Sequence, residues 1–168
     1  GGASPAMHSV KTKVAKFATV NSTLLLSGET GTGKEVVAKE LHRLSHHAAS
    51  PFLAVNCGAI SDTLVESELF GHVKGAFTGA ASSHHGLFVA AGDGTLFLDE
   101  IEAMSPRMQG ALLRVLEEGE VRPVGGTKAR RVQARIIVAS NQPLDAAMKA
   151  GSFRSDLYYR VARLQILL

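Results

Sequence analysis

The chain has 168 residues, of which 45% are hydrophobic and 20% charged, a composition that excludes a disordered protein and fits one ordinary domain. Its apolar runs are far shorter than the roughly 20 residues that span a bilayer, and no secretory signal opens it, so we expect a cytoplasmic protein with no membrane partner. The formal charge of +3 permits an acidic partner or nucleic acid without establishing either.

Short apolar strands alternate with amphipathic helices along the chain, which predicts an α/β domain built on a mainly parallel sheet. The expected strands cover 24–27, 52–56, 95–98, 135–139 and 164–168, with a small hairpin formed by 120–124 and 131–133. Expected helices cover 64–70 and 144–149. Another follows a glycine-rich turn and places Val37, Leu41 and Leu44 on one face.

A further helix is expected after Ser105 and Pro106, which have the residue types of an N-cap and a first helical position. Its apolar stripe consists of Met108, Leu112 and Val115. The single cysteine excludes an internal disulfide, and Cys57 is interpreted as a small buried thiol.

Three histidines, His42, His46 and His47, can share one helix face. A metal site there is conceivable, but no cysteine or acid completes the set at a convincing spacing. The sequence therefore disfavours a metal bound by these histidines.

A glycine-rich segment fits the first seven positions of the phosphate-binding pattern G-x-x-x-x-G-K-[ST], between an expected strand and an expected helix. Its residues, with the eighth position included, are Gly28, Glu29, Thr30, Gly31, Thr32, Gly33, Lys34 and Glu35. Glycines let consecutive backbone N–H groups surround a phosphate, and the helix N-terminus adds its positive dipole end. Lys34 supplies a full positive charge for β and γ phosphates, whereas a turn that merely caps a helix would not need this lysine.

The eighth position holds Glu35 instead of the serine or threonine that usually ligates Mg²⁺. More of the metal binding then falls to Asp99 and to water. Asp99 and Glu100 follow an apolar strand at the sheet edge where ligands bind in open α/β folds. Because successive strand residues point to opposite sides, Asp99 is suited to hold Mg²⁺ through water and Glu100 to polarise an attacking water.

Two asparagines, Asn56 and Asn141, end the strands expected beside this acid pair. Either one contacts the same site or serves only to turn the chain, and the residues themselves leave both readings open.

The segment 75–80 has the sequence GAFTGA. In this segment the chain resembles the AAA+ activators that remodel sigma-54 RNA polymerase. The six residues are Gly75, Ala76, Phe77, Thr78, Gly79 and Ala80, and 68–72 match the family as well. The phosphate loop is similar to the family version, its glutamate at the eighth position included. The resemblance covers residues 4–160, and its small departures are Thr30, where serine is commoner, and Val73, where glutamate is usual.

The resemblance implies an AAA+ P-loop NTPase fold, a three-layer α/β/α sandwich with a five-stranded, mainly parallel sheet. It also implies that Lys34 and its loop bind ATP, that Asp99 coordinates Mg²⁺ and that Glu100 activates water. Asn56 would restrain Glu100 until the partner engages, and Asn141 would sense the γ-phosphate.

Arg154 and Arg160 match the positions that reach into a neighbouring subunit as arginine fingers in this family. An arginine supplied in this way neutralises charge on the transferring phosphoryl group and is worth about 10³–10⁵ in rate. Without the resemblance, the two arginines are also compatible with ordinary surface ion pairs.

In the GAFTGA segment, the glycines allow the loop to hinge, and Phe77 with Thr78 is expected to form an apolar tip with little local core to join. The resemblance implies that this tip grips sigma-54 and moves as ATP is turned over. Lys128, Arg130 and Arg131 lie where the family has a second pore loop. They face promoter DNA or polymerase, or they belong to a merely solvated hairpin.

The resemblance assigns 1–168 to one sigma-54 interaction domain, the α/β part of the AAA+ ATPase. Family members continue into a helical lid and usually a DNA-binding domain, so we expect this fragment to fold but to bind ATP weakly and assemble poorly. The full-length protein would form a ring of six or seven copies and contact promoter or enhancer DNA through another domain. The alternatives are a regulator that binds nucleotide without hydrolysing it and an AAA+ remodelling ATPase with another client.

Overall fold

Five parallel strands form the central sheet of the computed structural model, which describes residues 4–168. With the two strands of a separate hairpin included, the described residues contain seven strands. In chain order they are β1 (Leu24–Ser27), β2 (Phe52–Asn56), β3 (Thr95–Asp99), β4 (Glu120–Val121), β5 (Arg130–Arg131), β6 (Arg135–Ser140) and β7 (Gln165–Leu167). The sheet order is β2-β3-β6-β1-β7, and every neighbouring pair is parallel. Strands β4 and β5 form the separate antiparallel hairpin that the sequence predicted. Both strands are shorter than predicted, and β5 begins one residue earlier.

Seven helices cover the two faces of the sheet within the described residues. They are α1 (Pro5–Phe17), α2 (Lys34–Arg43), α3 (Asp62–Phe70), α4 (Leu87–Ala90), α5 (Pro106–Glu118), α6 (Leu144–Lys149) and α7 (Ser155–Val161), and a 3-10 turn at Ile101–Ala103 precedes α5. None of the helices in residues 4–168 has the length and apolar character needed to cross a bilayer.

The alternation of side chains along the strands divides the core into two layers. Leu24 and Leu26 of β1 pack with residues of α1 and α2 on one face of the sheet. Leu25, between them, joins a larger cluster with residues of the helices from α3 to α7. The predicted three-layer α/β/α sandwich with a five-stranded sheet is therefore confirmed, and the sheet is wholly parallel.

The predicted start of α5 is confirmed by its cap. The Ser105 hydroxyl accepts a hydrogen bond from the Met108 N–H at 3.2 Å, and Pro106 is the first helical residue. Met108, Leu112 and Val115 are all buried, as the apolar stripe required.

The predicted apolar face of α2 is partly wrong. The helix ends at Arg43, and Leu44 is its C-cap residue, which is 39% exposed. Ala38 and Leu41 form the buried side of the helix instead.

Helices α1, α4 and α7 were not expected from the sequence. The start of α1 nevertheless carries the same signature as that of α5, because Ser4 caps the Met7 N–H at 3.1 Å and Pro5 follows it. Arg135, at the start of β6, ties the end of α1 to the sheet through hydrogen bonds to the carbonyls of Ala18 and Ser22 at 3.3 Å. Burial lowers the pKa of this arginine to about 10.

Candidate active site

The carboxyl ends of the parallel strands bring the predicted site residues to one edge of the sheet. A cleft of about 270 Å³ opens there. It is lined by Thr30, Gly31, Gly33, Lys34, Glu35, Asn56, Asp99, Glu100 and Asn141. The structure thus joins the glycine-rich loop, the acid pair and both asparagines in a single cleft.

The glycine-rich loop connects β1 to α2 and forms an open cradle. Gly31 and Gly33 have φ angles of 87° and 86°, in the left-handed region that glycine adopts without strain. No atom lies within 4 Å of the position that a Cβ would take at either glycine. Gly33 directly precedes the first residue of α2, so the loop presents its backbone N–H groups together with the positive end of a helix dipole.

The ammonium group of Lys34 lies inside this cradle. Its Nζ donates hydrogen bonds to the carbonyl oxygens of Gly28 at 2.6 Å and Glu29 at 3.0 Å, and the residue is only 5% exposed. Across residues 4–168, no carboxylate lies within 4 Å of this nitrogen. A buried cation bonded only to carbonyls creates a site that favours an anionic group.

Glu35 lies at the cleft but is exposed, and its carboxylate is 4.0 Å from the Lys39 ammonium one turn along α2. The cleft also presents the side-chain oxygens of Asp99, Glu100 and the two asparagines, the donor type that Mg²⁺ prefers. No cluster of three or more His, Cys, Asp or Glu side chains forms a metal cage in residues 4–168. This donor set fits Mg²⁺, which is usually bound by one or two carboxylates together with phosphate and water.

Within the part of the chain that the structure describes, His42, His46 and His47 belong to no group of three or more His, Cys, Asp or Glu side chains placed to hold a metal. His42 is buried, and its ring nitrogens bond to the Thr95 hydroxyl at 2.8 Å and the Ser50 carbonyl at 2.9 Å. Its role is structural.

Glu100 has a strained backbone, with φ 53° and ψ 48°, and it is the one non-glycine residue with positive φ among residues 4–168. The expectation that strand alternation separates it from Asp99 is therefore wrong, because β3 ends at Asp99 and Glu100 already turns away. Such a conformation costs on the order of 1–3 kcal/mol and persists where the surrounding structure requires it.

Asn141 bonds to the Glu100 carboxylate, and Gly58 leaves room for it. Its Oε1 accepts a hydrogen bond from the Asn141 amide at 3.3 Å, and its Oε2 lies where a Cβ on Gly58 would collide with it. The Asn56 side chain accepts instead from the Gly58 N–H at 2.8 Å. Asn141 therefore contacts Glu100 directly, whereas Asn56 holds the backbone beneath it. The sequence did not indicate a role for Gly58. Its one available signal was its position, two residues after the candidate site residue Asn56.

Glu102 is a third carboxylate that the sequence reasoning missed. Its oxygens accept from the Ser140 hydroxyl at 3.0 Å and from the Asn141 backbone N–H at 3.3 Å. Burial raises the pKa of this carboxyl above its usual range. Glu102 thus fixes the end of β6 from which the Asn141 side chain reaches Glu100.

Cys57 is buried, which confirms the sequence interpretation. Burial, followed by the charges of Asp99, Glu102 and Glu100, raises the pKa of its thiol to about 12. The thiol is therefore neutral and unreactive at ordinary pH.

The two candidate arginine fingers do not line this cleft. Arg154 makes a bidentate ion pair with Asp156 at 3.0 and 2.8 Å, and the Asp156 hydrogen bond raises the pKa of Arg154. Arg160 donates to the Leu116 carbonyl at 3.0 Å. Within one chain, therefore, neither arginine belongs to the cleft that contains Lys34 and Glu100.

The GAFTGA loop is anchored at its base by backbone hydrogen bonds between His72 and His84, both at 2.8 Å. The expectation that Phe77 has little to pack against is wrong. This half-buried residue packs edge-on against the His72 ring, with 4.9 Å between the two ring centroids. Thr78 is exposed at the end of the loop. The Val73 N–H also bonds to the Val124 carbonyl at 3.1 Å, so the loop rests against the segment that joins β4 to β5.

The basic residues of the β4–β5 hairpin are exposed, in agreement with either interpretation of the sequence. They are Lys128, Arg130 and Arg131.

A second and larger cleft of about 700 Å³ borders the other side of the glycine-rich loop. Gly28, Glu29 and Thr32 line it together with Leu144 and Tyr158. The loop therefore separates two adjoining spaces.

Comparison with known proteins agrees with this geometry. The model of the family described as "Sigma-54 interaction domain" matches residues 1–167. A Nif-specific regulatory protein from Rhodobacter capsulatus is 50% identical over 167 residues, which cover 99% of this chain and 29% of the relative. The chain thus spans about three tenths of the length of such curated relatives.

Two solved structures superpose over 99% of the chain. NtrX from Brucella abortus in complex with ATP is 34% identical with a TM-score of 0.88, and 37% of that chain is covered. A P-loop NTPase domain of a sigma-54 activator from E. coli has a TM-score of 0.67 at 20% identity, with 96% of it covered, a likeness of fold alone. The chain therefore belongs to the sigma-54 interaction domain family and has the α/β fold of AAA+ P-loop NTPase domains.

Proposed function

We propose that this domain is the ATP-hydrolysing core of a sigma-54-dependent transcription activator, which uses ATP turnover in a ring to remodel the sigma-54 RNA polymerase closed complex. The observation that carries the proposal is the buried Lys34 ammonium in a glycine cradle, in the same cleft as Asp99 and Glu100. An uncompensated cation beside an acid pair suits a nucleoside triphosphate whose end is to be cleaved.

In this proposal, the N–H groups of the loop and Lys34 bind the phosphates, and the nucleoside lies in the larger cleft beside Tyr158. Asp99 would hold Mg²⁺, which neutralises charge on the phosphates when bound. Glu100, bonded by Asn141 and lying in the space that Gly58 leaves open, orients the attacking water. The ATP complex of the 34% identical NtrX supports nucleotide binding by this fold.

Arg154 and Arg160 are proposed to act on a neighbouring subunit in a ring, since neither lines the cleft of its own chain. The GAFTGA loop is proposed to contact sigma-54 through Phe77 and Thr78. Because this loop is hydrogen-bonded to the segment that joins β4 to β5, a movement of one would shift the other. DNA would be bound by another domain of the full-length cytoplasmic protein.

Replacing Glu100 with glutamine in the full-length protein should remove the base while leaving the phosphate cradle intact. We expect kcat for ATP hydrolysis to fall by about 10²–10⁴, the usual worth of general base catalysis. Phosphate-release kinetics and a nucleotide titration measure the two effects separately, and ATP affinity should be retained. The control is Glu117→Gln on the exposed side of α5, and turnover that survives Glu100→Gln would rule out this base.

Gly58→Ala tests whether the close approach of Gly58 positions Glu100. The added methyl group would displace the carboxylate, and a shift of about 1 Å in a catalytic group costs up to about 100-fold in rate. We expect kcat to fall while ATP affinity is unchanged, with the exposed neighbour Ala59→Ser as control. Equal kcat values for the two variants would contradict the role given to Gly58.

Phe77→Ala tests the polymerase half of the proposal. The variant should continue to hydrolyse ATP, because Phe77 does not line the cleft, but it should lose sigma-54 binding and promoter opening. Ser82→Ala, exposed on the same loop, is the control, and the measurements are ATPase activity and open-complex formation. Full promoter opening by Phe77→Ala would exclude this loop as the sigma-54 contact.

A further inference from the structure

Gln109 on α5 is a buried amide with every polar atom bonded. Its Nε2 donates to the carbonyls of Met104 at 2.9 Å and Ser152 at 3.2 Å, and its Oε1 accepts from the Arg154 N–H at 2.8 Å. The residue is 0% exposed. Burial of an amide is costly unless it is fully bonded, and here all three bonds go to backbone groups of other segments.

These bonds join two regions of different proposed function. Met104 ends the 3-10 turn that directly follows Asp99 and Glu100. Ser152 and Arg154 belong to the segment that leads into α7. A single side chain therefore connects the acid-bearing segment of this chain to the backbone of its candidate arginine finger.

The Arg154 side chain is also seated on α5. A Cβ at Gly110 would lie 3.0 Å from Arg154 Nη1, so the guanidinium passes over a position that has no side chain. Asp156 accepts two hydrogen bonds from the same group. The Arg154 side chain nevertheless remains 45% exposed, so its backbone is fixed while its charge reaches the surface.

We propose that Gln109 and Gly110, here called the arginine seat, position Arg154 for the active site of a neighbouring subunit. The inference rests on the proposed function, in which Arg154 acts in trans. Fixing the backbone that carries a flexible side chain reduces the entropy lost when the side chain docks and keeps its charge within reach of the reacting phosphoryl group. Gln109 is thus a positioning residue that acts through Arg154 and touches no substrate itself.

Gln109→Met keeps the size of the side chain and removes all three hydrogen bonds. In the full-length protein, we expect kcat to fall by about 10- to 100-fold, the cost of a misplaced catalytic group, with ATP affinity unchanged. Leu112→Ala is the control, because it destabilises the same helix without removing a hydrogen bond to the Arg154 segment.

Mixed rings separate positioning from stability. Acceptor subunits carry Arg154→Ala and keep an intact cleft, whereas donor subunits carry Glu100→Gln and can contribute only their arginine. Mixing the two should restore hydrolysis. With donors that also carry Gln109→Met, the restored rate of ATP hydrolysis should be lower by about tenfold or more. Donors that also carry Leu112→Ala should restore the rate fully. Light scattering checks that all donors enter rings equally.

Gly110→Ala in the donor is the second variant, for use should Gln109→Met fail to assemble. Alanine favours a helix over glycine, so a loss of donor activity there cannot come from unfolding of α5. Undiminished restoration by Gln109→Met or, in its place, Gly110→Ala donors would overturn the arginine seat. If even donors with Glu100→Gln alone restore nothing while the unmodified protein hydrolyses ATP, the trans role of Arg154 fails, and the seat with it.

Discussion

The buried ammonium group of Lys34 is the interaction on which the site depends. It is bonded to two carbonyl oxygens of its own loop, and the described part of the chain offers it no carboxylate within 4 Å. Such a cation is costly to bury unless a negative group completes it. The open glycine cradle and the N-terminus of α2, which share Gly33, favour the same kind of group.

The parallel sheet supplies the rest of the site. Its strand order places the ends of β2, β3, β6 and β1 side by side, so the phosphate loop meets groups that are far apart in sequence. The Asn141 side chain bonds to the strained Glu100, Gly58 leaves room for its carboxylate, and Glu102 accepts from the Asn141 backbone N–H in turn. These contacts exist within one chain, so the Glu100 carboxylate has a defined position at this edge of the sheet. In the proposed function, such an acid would be oriented before a substrate arrives, as in a preorganised site.

Much of this arrangement was predictable because it is encoded locally. The apolar runs gave the exact bounds of β1 and β2, and the spacing of the phosphate loop predicted its position between a strand and a helix. Gly58, Glu102 and Gln109 were not predictable, since their roles come from close approach between distant segments. Phe77 shows the same limit, because its packing against His72 depends on how the loop folds back at His84.

The most direct test of the central claim is ATP binding measured by titration calorimetry on the full-length protein with Lys34→Ala. A charged hydrogen bond to phosphate is worth about 1.5–3 kcal/mol, so the dissociation constant should rise by about tenfold or more. Lys39→Ala, exposed on the same helix, controls for the loss of charge and should bind as the unmodified protein does. An unchanged ATP affinity for Lys34→Ala would contradict the claim that this cation holds the nucleotide.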